Sequence, residues 1–211
     1  MKLAVVANDK LKAELLATGP QEEVEFTWLT SVGELMNHRD ADGVINLLFE
    51  NNAEEIKLLN EFLPKPVIIN SILITLHEIN LPFIRINGWS TFLKRETAEA
   101  ASGNEENKIA AELIFTSLKR KAEWVPDITG FISPRVVAMI INEAYFALDE
   151  KVSTKKEIDT AMKLGTNYPY GPFEWAERIG LKNILALLNK LSLKEKRYQP
   201  APLLIKEAAG N

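Results

Sequence analysis

Between residues 1 and 126, short apolar runs alternate with stretches whose apolar positions recur at helical spacing. Residues 3–7, 24–29, 43–48, 66–70, 82–86 and 122–125 read as strands, each a short apolar run of strand length. Residues 10–17 place Leu11, Leu15 and Leu16 at helical spacing and stop at Gly19-Pro20. Ser31 can cap a short helix running to His38, and residues 53–63 bring Ile56, Leu59 and Leu63 to one face. Further helices are predicted over residues 73–79, 91–101 and 106–118. Strands alternating with helices predict a parallel sheet with right-handed crossovers. The expectation is an α/β domain over residues 1–126 with a shortened Rossmann-like, doubly wound parallel sheet. Ligands of such sheets sit beyond the C-terminal ends of the strands. That directs attention to the loops after Ala7, Leu29, Leu48, Asn70 and Ile86.

Over residues 127–211 the pattern turns helical, predicting a small all-α C-terminal domain. Val136, Val137, Ile140, Ile141, Ala144 and Leu148 form one broad apolar face. Thr154 and Glu157 make a capping box for the next helix, which Gly165 can close in a left-handed conformation. Residues 167–172 read as a turn and 173–179 as a short helix ended by Gly180. Residues 181–193 are apolar nearly all round, which suits burial within the domain or a dimer interface equally.

Composition removes several function classes. With 211 residues and 46% hydrophobic side chains, the chain can bury a core without staples. A net charge of −4 argues against nucleic acid as the main partner, because phosphate binding needs concentrated Lys and Arg. No cysteine is present, so disulfides and thiolate chemistry are excluded. His38 and His77 are the only histidines, too few for a multi-histidine metal site. No apolar run is long enough to span a bilayer, and the N-terminus does not read as a secretory signal. A cytoplasmic protein with no membrane partner is expected.

Several motifs follow one another in the second half: Gly130-Phe131-Ile132-Ser133-Pro134-Arg135, Asn142-Glu143-Ala144, Ile158-Asp159-Thr160-Ala161-Met162 with Gly165, and Gly171-Pro172-Phe173-Glu174. This series resembles the C-terminal domain of the 3-hydroxyacyl-CoA dehydrogenase family, which reads GF(I/V)xNR, NEA, IDxAMxxG and GPFE. The first half is similar more weakly, through Ala41-Asp42-Gly43-Val44-Ile45 with Phe49-Glu50-Asn51, and through Asn70-Ser71 with Ile74 and Glu78-Ile79. The resemblance implies NAD as cofactor, an acyl-CoA-type substrate and a homodimer formed through the C-terminal helices.

The family's chemistry implies particular residues. A dinucleotide site needs glycines after the first strand, where a pyrophosphate approaches the backbone. This chain has Ala7-Asn8-Asp9-Lys10-Leu11-Lys12, without glycine, and no acid ends the second strand at Leu29-Thr30. The resemblance also implies a histidine base after the fifth strand and a glutamate that orients it. Gly88 falls closest to the histidine position, and Glu96 and Glu99 lie near the glutamate position, where a solvated helix face is expected. Pro134 replaces the family's asparagine, in a Ser133-Pro134 pair suited to starting a helix. The expectation is therefore no catalytic residue and no cofactor residue. The ligand-binding candidates are Asn70, Asn87, Ser90, Thr91 and Arg135. The leading reading is a non-catalytic relative that binds an acyl-CoA-type or other small ligand, or a protein partner. The alternatives are an active NAD-dependent dehydrogenase and an enzyme of altered chemistry in the same cleft.

Overall fold

The computed structural model describes residues 1–210. Two units, Met1–Phe131 and the chain from Ile132 onward, each pack around their own interior.

The first unit contains strands β1 (Lys2–Val6), β2 (Glu25–Leu29), β3 (Gly43–Asn46), β4 (Val67–Asn70), β5 (Ile84–Ile86), β6 (Thr97–Ser102) and β7 (Lys121–Trp124). They form one sheet in the order β2-β1-β3-β4-β5-β6-β7. β1 to β5 are parallel, β6 runs antiparallel to β5, and β7 is parallel to β6. Helices α1 (Asp9–Leu16), α2 (Ala53–Asn60), α3 (Leu76–Ile79) and α4 (Glu105–Ser117) connect them. One face of the sheet packs Val5, Ile45, Ile68 and Ile84 against Leu15 of α1 and Ala111, Ile114 and Phe115 of α4. The other packs Val6, Val44 and Ile69 against Leu35, Leu59 of α2 and Leu76 of α3. Side chains alternate across each strand, so continuously apolar strands supply both faces. The chain leaves β1 outward to β2 and returns on the other side as β3, which places the switch of direction between β1 and β3.

The helix expected over residues 91–101 does not form. Residues 97–102 are β6, with Ala100 and Ala101 fully buried opposite Ile86 and Arg85. Alanine favours a helix intrinsically, but strand pairing and burial at the sheet override that preference. The strand also breaks the all-parallel pattern. Arg85 of β5 is fully buried, and its Nε donates to Ser71 O at 2.9 Å. Its guanidinium pairs with Asp127 and sits 4.5 Å from the Phe131 ring centre, tying the segment that ends the unit to the sheet.

The second unit consists of α5 (Ser133–Asp149), α6 (Lys155–Thr166), α7 (Pro172–Ile179), α8 (Leu181–Ser192) and α9 (Pro202–Gly210). Ser133 is not the cap of α5: Ile132 holds that place with helical dihedrals, and Ser133 and Pro134 lie within the first turn. Phe131, at φ 49°, makes the preceding turn and sets that earlier start. Thr154 and Glu157 do form the capping box of α6. The left-handed residue closing α6 is Asn167, not Gly165. Ile184, Leu187, Leu188 and Leu191 of α8 are buried inside the unit, while Leu181 and Leu185 are half-buried and Leu193, just past its end, is exposed. Among the described residues no helix is long and apolar enough to cross a membrane.

Candidate ligand site at the strand ends

The loops beyond the C-terminal ends of the strands are tied to one another by side chains. After β1, the Asn8 carboxamide accepts the Leu11 N–H at 2.9 Å and so caps α1. After β2, Glu34 accepts from the N–H groups of Thr30 and Ser31 and from the Thr30 hydroxyl. Those bonds, the Thr30 hydroxyl first, hold its carboxyl below the usual carboxylate range. After β3, buried Asn46 donates to Glu55 at 2.6 Å, and the other Glu55 oxygen accepts the N–H groups of Glu50 and Asn51 at 2.9 Å each.

Four sequence candidates meet at the ends of β4 and β5. Asn70 donates to Leu47 O at 3.1 Å and accepts the Gly88 N–H at 3.0 Å, so it links the ends of three neighbouring strands. A Cβ at residue 88 would lie 2.6 Å from the Asn70 Cγ, which makes glycine a steric requirement there. Asn87, 5% exposed, donates to Glu99 Oε2 at 2.9 Å and accepts the Trp89 N–H at 3.3 Å. Glu99 is thus not on a solvated helix face. It is a half-buried residue of β6, and its backbone carbonyl also accepts the Asn87 N–H at 3.0 Å. The pair was not legible because residues 91–101 read as a helix, and only the β5–β6 antiparallel pairing brings 87 and 99 together.

The loop after Asn87 is held from α1. Glu14 Oε1 accepts the Ser90 hydroxyl at 2.5 Å and Oε2 accepts the Thr91 N–H at 2.8 Å. Arg120, 7% exposed, donates to the carbonyls of Leu93 and Arg95 on one side and Glu14 and Leu15 on the other. Burial pulls its guanidinium down to about 10, against the opposing effect of Glu14. Thr91 adopts φ 77°, strained for a β-branched residue, and its hydroxyl is buried without a partner among the described residues. Trp89 and Phe92 are buried as well. Neither Glu14 nor Arg120 was a sequence candidate, because nothing in their spacing marks a contact 76 or 106 residues away.

Arg135, the fifth candidate, belongs to the second unit. It lines a depression of about 430 Å³ with Val136, Met139, Ile140, Glu143 and Tyr198, and its guanidinium lies 5.8 Å from the Tyr198 ring centre.

The motif residues of this unit hold its helices together. Asn142 donates to Gln199 O at 3.0 Å and accepts the Ala201 N–H at 2.8 Å. Asp159 accepts the Phe173 N–H at 2.8 Å at the start of α7. A Cβ on Gly171 would lie 2.3 Å from the Asp159 carboxylate. Glu174 closes the same turn by accepting the Gly171 N–H at 3.0 Å.

The architecture is that of a mostly parallel Rossmann-like sheet followed by a helical region. It matches the crystal structure of (S)-3-hydroxybutyryl-CoA dehydrogenase from Ralstonia eutropha with a TM-score of 0.75, over 99% of this chain and 93% of that one, at 22% identity. Residues 130–209 match the family described as 3-hydroxyacyl-CoA dehydrogenase, C-terminal domain. The probable 3-hydroxybutyryl-CoA dehydrogenase of Bacillus subtilis is 31% identical over an alignment covering 95% of this chain and 75% of that protein. The 3-hydroxyadipyl-CoA dehydrogenase of Escherichia coli is 40% identical over 53% of this chain, which spans only 24% of that protein. The chain belongs to the 3-hydroxyacyl-CoA dehydrogenase family.

Proposed function

We propose that this family member does not carry out NAD-linked hydride transfer, and that its activity is binding: of an acyl-CoA-type ligand, or of a second copy through its helical unit. The observation that carries the first part is the Asn87–Glu99 pair. The family's chemistry calls for a base that a glutamate orients. Here the carboxylate beside the end of β5 holds an amide, which neither accepts nor releases a proton near neutral pH. The residues after β1 also do not fit a dinucleotide. A pyrophosphate at the start of α1 would meet the Asn8 side chain, already capping the helix, and the negative charge of Asp9. The acid nearest the end of β2, Glu34, is taken up by the turn it caps.

Support for self-association comes from α5. Ile132 and Val136 are 55% and 52% exposed, and they continue into Met139 and Ile140 along one helix. An adjoining apolar groove of about 260 Å³ is lined by Ala144, Ala147, Ile158 and Met162. Val136→Lys should shift the protein toward monomer in sedimentation equilibrium, whereas an unchanged mass would remove α5 as the interface.

The competing reading is an active NAD-dependent dehydrogenase. One finding favours it: the 31% identity with the Bacillus subtilis protein extends over nearly the whole chain. Titration with NADH, followed by cofactor fluorescence, and with acetoacetyl-CoA, followed by calorimetry and NADH oxidation, separates the two. Acyl-CoA binding without NADH binding is the expected result. Saturable NADH binding with turnover would overturn the proposal and establish the dehydrogenase.

A further inference from the structure

We infer that the free edge of β2 pairs with β2 of a second copy, antiparallel about a two-fold axis at Thr27. β2 ends the sheet and pairs with β1 alone. The Glu25 N–H donates to Met1 O at 2.8 Å, and Leu29 O accepts the Ala7 N–H at 3.0 Å. Residues 25, 27 and 29 therefore spend their backbone groups on β1, and the N–H and C=O groups of Phe26 and Trp28 point to the open side. An exposed row of this kind is a template for another strand.

The strand lacks the features that usually blunt an edge. It holds no proline or glycine, its five residues pair with β1 in continuous register, and its only charge, Glu25, stands at one end. Its middle is Phe26-Thr27-Trp28, all half-buried, with the two rings stacked at 5.1 Å on one face. Aromatic and β-branched residues of this kind favour strand pairing.

A second copy is the occupant because the sequence is self-complementary in this register. With Thr27 on the axis, Phe26 of each copy comes opposite Trp28 of the other. Each such pair exchanges two backbone hydrogen bonds, and four rings line up on one face. Glu25 meets Leu29, so no like charges are opposed. The surroundings agree in sign. β2 starts beside exposed Glu22, Glu23 and Glu25, and finishes beside Lys12, whose ammonium lies 4.8 Å from the Trp28 ring centre. Antiparallel pairing brings the acidic end of each copy to the lysine end of the other, whereas parallel pairing would set acid against acid. A five-residue edge makes a small interface, well below the area of a tight dimer, so the association belongs to the weak, concentration-dependent class.

The test is amide exchange by NMR on the full chain across a concentration series. Protection of the Phe26 and Trp28 amides should rise roughly severalfold, and by no more than about tenfold, between about 10 μM and about 1 mM, because the monomer fraction of a dimer falls at most with the square root of concentration. Thr27→Arg sets two like charges face to face at the axis while leaving the β1 ladder intact. It should abolish that rise with an unchanged circular dichroism spectrum. In Val136→Lys the rise should persist, which separates this edge from any association through α5. Exchange at these amides that is fast at every concentration, or protection equal in Thr27→Arg and the parent, would overturn the proposal.

Discussion

Glu14→Ala should loosen the loop after β5 without unfolding the sheet. Glu14 is half-buried on α1 and makes two bonds to that loop, to the Ser90 hydroxyl at 2.5 Å and the Thr91 N–H at 2.8 Å. A hydrogen bond to a charged group contributes about 1.5–3 kcal/mol. The two share one carboxylate that keeps some access to water, so they do not add fully. Alanine also improves α1 by a few tenths of a kcal/mol. The net local cost is about 2–3 kcal/mol, or roughly a 30- to 160-fold increase in the opening equilibrium of the loop. Arg120 still holds the carbonyls of Leu93, Arg95 and Leu15, so the end of α1 and the sheet stay anchored. Hydrogen exchange read at the Thr91 amide measures this directly, with the β1 and β3 amides as internal controls. Glu14→Gln keeps one acceptor and should fall between the two. Unchanged Thr91 exchange in Glu14→Ala would refute the assignment of Glu14 as the tie. Equal loss of protection in β1 and β3 would refute the claim that the tie is local.

Three further outcomes follow from the same geometry. Thr91→Gly removes a β-branched side chain at φ 77° and a buried unpaired hydroxyl while keeping the backbone bond to Glu14. It should raise stability by about 1 kcal/mol in urea unfolding, after the entropy cost of glycine; a loss would mean the strain is not real. Burial raises the Asp159 carboxyl above its ordinary value, so its contribution is complete below the unfolded value near 4 and is lost as pH rises through the folded one. Asp159→Asn should therefore gain on the parent between pH about 3 and about 7, while Asp159→Ala loses the Phe173 N–H acceptor and about 1–2 kcal/mol at both. Burial, helped by the bond to Glu207, pushes the Tyr145 hydroxyl up. Its contribution is complete below about pH 10 and fades above, so Tyr145→Phe should lessen the loss of stability in alkali, and the Tyr145 tyrosinate absorbance should appear only with unfolding.

Periodicity made most of the sheet legible because β1, β3 and β4 are buried on both faces and read as continuous apolar runs. It failed at β6, where Thr97-Ala98-Glu99-Ala100-Ala101 carries alanines that favour a helix, and only pairing with β5 makes a strand. That one error hid the most informative contact, because Asn87 and Glu99 are brought together by antiparallel pairing and not by sequence spacing. Asn70, Asn87, Ser90 and Thr91 were found as a group because strand-end loops are identifiable from the order of elements. What each one binds was not legible. Their partners Leu47, Glu99 and Glu14 lie 23, 12 and 76 residues away. In the second unit α8 is nearly all apolar, which cannot separate an interface from an interior. Ile184, Leu187 and Leu188 are fully buried, whereas Leu181 and Leu185 are half-buried.

The motif residues that mark the family in the second unit are held in place by the packing of that unit, and the structure gives a physical reason for each. Asn142, Asp159, Gly171 and Glu174 hold helix ends and loops together. Loss of any of them leaves a buried polar group unpaired or a side chain overlapping a carboxylate, which is costly whatever the protein does. Polar groups at the strand ends are also paired within the protein. Here Asn70 links the ends of β3, β4 and β5, Asn87 takes Glu99, and Glu14 takes Ser90 and Thr91. Each bond satisfies a polar group that a ligand would otherwise have to reach. Any ligand of these loops must therefore displace internal hydrogen bonds to charged or buried partners, and it must recover their free energy from its own contacts before it gains affinity.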